Sequence, residues 1–203
     1  KNVTRSNLQF ANEQRDYRIF EEFAYAMIDK AKSCSVTDAD FKLDIDGPVY
    51  AFDSTFIDLC LNVFWWAEFR ATKAAVKIHA LIDVKTSIPC FVHITDGTVH
   101  DVNGLDLLKY ENGGFYVVDR GYLDFKRLFN IHKHGAYFIT RSRKKFAFTR
   151  ISSRKVEKKK GVLCDQTIKL NNFYPLSGYP KPFRRIRFYD KETDKRLIFL
   201  TNN

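Results

Sequence analysis

The chain has 203 residues, with 34 Lys and Arg against 24 Asp and Glu, a formal net charge of +10, and 45% hydrophobic residues. That length supports one good core with a small appendage. No apolar run approaches the roughly 18–20 residues of a membrane span, and the N-terminus shows no charged-then-apolar signal pattern, which points to a cytoplasmic protein without a membrane partner.

Taken in chain order, residues 6–31 read as one helix, because Phe20, Phe23, Ala24, Met27, Ile28 and Ala31 recur at spacings of three and four. A polar stretch then runs from Cys34 to the turn signal Asp46-Gly47-Pro48. A first strand ends at Asp53, and the aromatic segment from Asp58 to Arg70 reads as mixed strand and helix. Lys77–Ile82 and Ile88–Ile94 flank Val84-Lys85-Thr86-Ser87 as a hairpin. Asp101 is placed to cap a short helix through Lys109.

The clearest unit follows. A strand ends at Asp119, a helix carries Leu123, Leu128, Phe129 and Ile131, Gly135 stops it, and Ala136–Thr140 returns as a strand: a β-α-β unit. Beyond it only strands are expected, over 146–151, 163–170, 183–189 and 197–201. A three-strand meander followed by β-α-β, with acids on strands one and four, is the layout of the ribonuclease H-like α/β (α+β) fold. The expected division is a helical segment over 1–47, the ribonuclease H-like core over 48–140, and a β-rich insertion or extension over 141–203.

Two strand-like runs each end on an aspartate: Val49-Tyr50-Ala51-Phe52-Asp53 and Phe115-Tyr116-Val117-Val118-Asp119. A carboxylate at the end of a buried strand has lost part of its hydration, which is costly unless a cation or donor replaces it. Two such ends side by side would form a hard-oxygen site for Mg²⁺, with Mn²⁺ as a substitute, the ions of phosphoryl-transfer chemistry. Cys34, Cys60, Cys90 and Cys164 are scattered, without a Cys-x-x-Cys pair, and read as buried free thiols rather than a zinc site. His79, His93 and His100 lack ligand spacing and read as structural. Trp65 and Trp66 read as core or interface.

The positive charge is local. From Arg141 to Lys160 there are ten Lys or Arg and one acid, Glu157, so the remainder is nearly neutral. Phe146, Phe148 and Ile151 interleave with these charges at strand spacing, which favours an ordered ribbon facing phosphates. Arg184, Arg185 and Arg187 add to it, and a solvated lysine-rich loop is the alternative. Arg120, directly after Asp119, suits either a phosphate clamp or a surface ion pair. Lys73 and Lys77 suit either a DNA path or a solvated edge, and Tyr122 suits packing beneath the helix start better than stacking on a base.

These motifs resemble the DDE transposases of bacterial insertion sequences, in the branch with a β-strand insertion between the second and third catalytic acids. The resemblance rests on Ala51-Phe52-Asp53-Ser54-Thr55 and Val117-Val118-Asp119-Arg120-Gly121-Tyr122 for the first two acids. Lys77-Ile78-His79-Ala80-Leu81-Ile82-Asp83, Thr98-Val99-His100-Asp101 and Ala11-Asn12-Glu13-Gln14-Arg15-Asp16-Tyr17-Arg18 match as well. It implies Mg²⁺-dependent cleavage and transfer of double-stranded DNA at transposon ends, with a homodimer on paired ends. Asp53 would be the bridging ligand of a two-metal site and Asp119 the ligand of the second metal. Arg141, Arg143, Lys144, Lys145, Lys158, Lys159 and Lys160 would carry most of the phosphate contact.

In that branch the third acid is a glutamate in a Tyr-x-x-Arg-x-x-x-Glu-x-x-x-x-x-x-Lys helix that follows a strand ending Leu-Thr-Asn. Here Leu200-Thr201-Asn202-Asn203 closes the sequence, no such pattern occurs, and Glu192 lies in a turn. The chain therefore reads as a fragment lacking the third ligand. A non-catalytic DNA-binding remnant or host-adopted module is the competing reading.

Overall fold

The computed structural model describes residues 3–34, 44–59, 68–70, 73–142, 146–171 and 173–203. The chain divides into two compact units, one of Lys1–Phe41 with Asp53–His100, the other of Lys42–Phe52 with Asp101–Asn203. Strand β1 (Val49–Leu59) gives its first four residues to the second unit and the rest to the first.

In the first unit the N-terminal helix is two helices, α1 (Arg5–Glu13) and α2 (Arg18–Cys34), where the sequence suggested one. The break has a local cause. The Asp16 carboxylate accepts the Arg18 backbone N–H at 2.9 Å and pairs with the Arg18 guanidinium, which supplies a start for α2 and a stop before it. The apolar periodicity does not mark a buried stripe either: Phe20, Phe23 and Met27 are 54%, 64% and 48% exposed, and Ile28 is buried.

What α2 does pack on is the hairpin of β3 (Lys73–Asp83) and β4 (Ile88–Asp96), formed where alternation placed it. The Tyr25 hydroxyl donates to the Val92 carbonyl at 2.9 Å, and Glu21 meets His93 at 3.0 Å. The short strand β2 (Glu68–Arg70) pairs with β3, which lies next to β1. Strand β1 does not stop at Asp53; it runs on to Leu59. Residues 60–67, with Cys60, Trp65 and Trp66, lie outside those described. Cys34 is exposed and Cys90 and Cys164 are partly buried, so the described thiols are not the buried ones expected.

The second unit is organised by a parallel ladder. β1 pairs with β5 (Phe115–Val118) and β5 with β6 (Tyr137–Arg141), both parallel. Parallel neighbours need a crossover, and α3 (Phe125–Lys133) provides it between β5 and β6. Asp124 caps α3 by accepting the Arg127 N–H at 2.9 Å, and Leu128 and Ile131 are fully buried. Gly135 ends the helix at φ +72°, a conformation in which a Cβ would stand 2.3 Å from the Asn112 Oδ1. The expected cap at Asp101 opens a 3₁₀ helix (Asp101–Leu107) rather than an α-helix. The expected hairpin and β-α-β unit are both present, in a mixed α+β layout.

The β-rich extension is an antiparallel sheet. β10 (Lys195–Thr201) joins β6, and β9 (Phe183–Asp190), β8 (Val162–Leu170) and β7 (Phe148–Arg154) follow outward. A short helix, α4 (Phe173–Gly178), stands between β8 and β9 and was not expected. Just after it Tyr179 is fully buried, with its ring against Phe129, Phe138 and Phe183 and its hydroxyl on His132 Nδ1.

Asn202 closes the join between extension and core. Its Oδ1 accepts the Phe138 N–H and its Nδ2 donates to the Ala136 carbonyl, both at 2.8 Å, so a side chain continues the pairing where β10 ends. Asn202→Ala leaves two partly buried backbone groups without that partner and is expected to cost about 1–3 kcal/mol. Urea unfolding reads this loss; an unchanged midpoint would contradict it.

Candidate active site

Phe52 on β1 and Val118 on β5 are register partners at the end of their ladder, and an aspartate follows each. The neighbourhood beneath them is tightly packed: Phe52, Tyr116 and Val118 are almost fully buried, and Tyr122 turns its ring edge-on to Phe52 at 5.4 Å. Tyr122 is thus packing, as its sequence position suggested. Both aspartates, by contrast, are exposed. The strand-end burial expected for them is at most partial, because the ladder finishes one residue earlier.

The Asp53 Oδ1 accepts the Ser54 N–H at 2.8 Å. Asp119 follows β5 and opens a 3₁₀ turn, Arg120–Tyr122. Its Oδ1 accepts from the Arg141 guanidinium at 3.0 Å. Partial burial raises the Asp119 pKa, but the Arg120 backbone N–H, the Arg141 guanidinium and the Gly121 N–H outweigh it and hold the carboxyl below the usual carboxylate range. Asp119 is therefore ionised at neutral pH. Arg141 sits at the end of β6, the strand next to β5, which explains how residues 22 positions apart meet. No local signal in the sequence marks that pairing.

Other site candidates fall differently. Lys77 is only 3% exposed: its Nζ donates to the Val99 carbonyl and lies 4.4 Å from the Phe56 ring centre. It is not on a solvated edge: the ammonium is turned inward because β3 buries that face. Lys73 begins β3, and its side chain lies outside those described. Arg120 is exposed. Arg143, Lys144 and Lys145 lie outside the described residues. Lys158, Lys159 and Lys160 form an exposed 3₁₀ turn (Lys158–Lys160) instead of a stretch of ribbon, with Lys160 on Glu157 at 3.0 Å.

His79 is fully buried, its Nε2 3.1 Å from the Thr95 hydroxyl, and His93 meets Glu21. Both act structurally, and no group of three or more His, Cys, Asp and Glu gathers among the described residues. Asp165, which the sequence reading passed over, is nearly buried on β8. It accepts from Arg184 through Nε at 2.8 Å and Nη2 at 2.6 Å, and from Arg154 Nη1 at 3.2 Å. An acid inside the strand Val162–Leu170, with an arginine-rich strand to follow, was the available signal; the register that joins them was not.

An α+β domain with a parallel ladder, an aspartate after two of its strands and a basic antiparallel extension is the class these features define. The family model of the transposase DDE domain matches residues 44–198, and the chain belongs to that family. Among solved structures it is similar to a piggyBac transposase in a synaptic complex with hairpin DNA, at 10% identity and a TM-score of 0.48, over 98% of this chain and 40% of that one. It is also similar to endonuclease V of Streptomyces avermitilis, at 14% identity and a TM-score of 0.35, over 90% of this chain and 77% of that one. Endonuclease V of Bacillus subtilis gives 10% identity and a TM-score of 0.33, over 94% and 78%. The chain thus spans well under half of the piggyBac protein. No curated protein matches the sequence.

The Asp165 carboxyl is held below its usual value of 3.8, first by the hydrogen bond from Arg184, against a burial effect that raises it, and then by the charges of Arg184 and Arg154. A lowered folded-state pKa contributes stability that is present above pH 3.8 and is lost as the pH falls through the folded value. Asp165→Asn is expected to flatten the stability profile in that acid range. Chemical denaturation between about pH 6 and pH 2 reads it; a variant profile parallel to wild type would contradict the assignment.

Proposed function

We propose that this chain is the catalytic domain of a transposase that cleaves and joins double-stranded DNA at insertion-sequence ends, with Asp53 and Asp119 as its metal-ligating carboxylates. The observation that carries it is the register of β1 on β5, which ends at Phe52 and Val118 with an aspartate next on each strand. Membership of the transposase DDE family supports the chemistry. The donors fit the ion: carboxylate oxygens suit a hard cation such as Mg²⁺ or Mn²⁺, both carboxylates are exposed, and Asp119 is held ionised. When bound, divalent metal supplies activation of an attacking oxygen and neutralisation of charge on the leaving one.

The remaining roles fall to the chain's own groups. The Arg141 guanidinium neutralises Asp119 in the structure described; its planar fork is equally suited to a phosphate, so it can serve the DNA once the carboxylate is otherwise engaged. Arg120, exposed beside Asp119, offers a second phosphate donor. Lys158, Lys159 and Lys160 supply sequence-independent backbone attraction from their exposed turn. A homodimer on paired ends and Mg²⁺ as the working ion belong to the same proposal.

Asp53→Asn and Asp119→Asn, made in the protein that carries this domain, are each expected to lower Mg²⁺-dependent strand cleavage by about a thousandfold or more. Circular dichroism and DNA binding should stay intact, since both side chains are exposed. Cleavage of transposon-end DNA at the wild-type rate by either variant would overturn the metal assignment.

A further inference from the structure

The basic extension sorts its arginines by face. Register partners share a face of the sheet, so Arg141, Phe199, Ile186, Asp165 and Arg154 form one row across β6, β10, β9, β8 and β7. Arg184, two residues from Ile186, belongs to the same face, and so does the Arg141 that meets Asp119. The opposite face carries Leu200, Ile168 and Phe183, all buried, together with Arg185 and Arg187, and the Arg141, Arg154 and Arg184 side chains reach solvent from the first face.

On that face the Asp165 side chain is 8% exposed, while Arg184 and Arg154, both bonded to it, are 31% and 49% exposed. One buried carboxylate holds two guanidinium groups, and the cluster keeps a net positive charge at the surface. A purely structural ion pair needs one cation per acid. The fork from Arg184 uses Nε and Nη2, and Arg154 uses Nη1. Each guanidinium has five N–H donors in all, so both retain donors for a second anion.

We propose that Arg154 and Arg184, oriented by Asp165, form a backbone-phosphate site for the DNA that reaches Asp119. This rests on the DNA-processing reading above and extends it to a surface. Strands lie about 4.8 Å apart, which puts Arg184 roughly 10 Å and Arg154 roughly 19 Å across the sheet from Arg141. One DNA strand advances about 3.4 Å along the axis per phosphate, so the row spans about six phosphate steps. Asp165 is a positioning residue: it touches no DNA and fixes the two groups that do.

Binding of a labelled, mixed-sequence duplex without divalent metal, followed by fluorescence anisotropy over a series of KCl concentrations, tests this. Arg154→Gln leaves the Asp165–Arg184 fork in place and should reduce the slope of log affinity against log salt by about one. Arg196→Gln removes the same charge from an exposed side chain on the opposite face and should leave the slope unchanged. Asp165→Asn adds net positive charge, so diffuse attraction would tighten binding, whereas loss of positioning weakens it several-fold. Weaker binding by Arg154→Gln and Asp165→Asn, with Arg196→Gln like wild type, establishes the site. Equal losses at Arg154 and Arg196, tighter binding by Asp165→Asn, or no duplex binding by wild type would overturn it. Because no metal is present, the result is separable from cleavage by the Asp53 and Asp119 variants: loss of the phosphate site leaves the metal assignment standing, and the reverse holds too.

Discussion

The parallel register of β1, β5 and β6 is the constraint from which the candidate site follows. Side chains of period two cannot slip by one residue without exchanging buried for exposed faces, and here Tyr50, Phe52, Tyr116, Val118, Phe138 and Thr140 are all buried. That burial fixes Phe52 against Val118 and Val118 against Thr140. The residues that come next, Asp53, Asp119 and Arg141, are exposed, and two of them meet as an ion pair. The apolar residues thus determine the register, and the register determines where the charged residues emerge.

The antiparallel extension repeats that logic with charge. β10 is anchored on β6 by backbone pairing and by Asn202. From there outward, alternation separates arginines that are adjacent in sequence: Arg184 bonds Asp165 on one face, and Arg185 lies over the Phe148 ring at 5.1 Å on the other. A run that looks uniformly basic therefore has two different surfaces. One of them is built around a buried acid, which makes its positive charge directional. The carboxylate is buried while both guanidinium groups reach the surface, so the arrangement orients the arginines as well as stabilising the fold.

The β-α-β unit was legible because its signals agree: a run of four apolar residues, helical spacing in Leu128 and Ile131, and a glycine at 135 where only positive φ closes the helix. The hairpin of β3 and β4 was legible for the same reason, through alternation around a four-residue turn. Asp53 and Asp119 stood out as acids after apolar runs, though β1 continues past Asp53, because a strand's end and the end of one of its ladders are different events. What stayed hidden depends on contacts distant in sequence. Lys77 is a buried lysine bonded to Val99, Arg141 answers Asp119, and Asp165 gathers Arg154 and Arg184. The register of separate strands sets each of these, and a one-dimensional pattern does not contain it. Phe20, Phe23 and Met27 mislead in the opposite sense, with helical spacing but side chains left exposed among the described residues.

The central claim is that the carboxylates of Asp53 and Asp119 ligate divalent metal. Anomalous diffraction from crystals of the chain grown with Mn²⁺ tests it most directly. The account expects an anomalous peak within coordination distance of both carboxylates, with the Arg141 guanidinium released from Asp119. A peak confined to other side chains, or ordered density for the Asp119–Arg141 pair with no manganese beside it at saturating metal, would contradict the account.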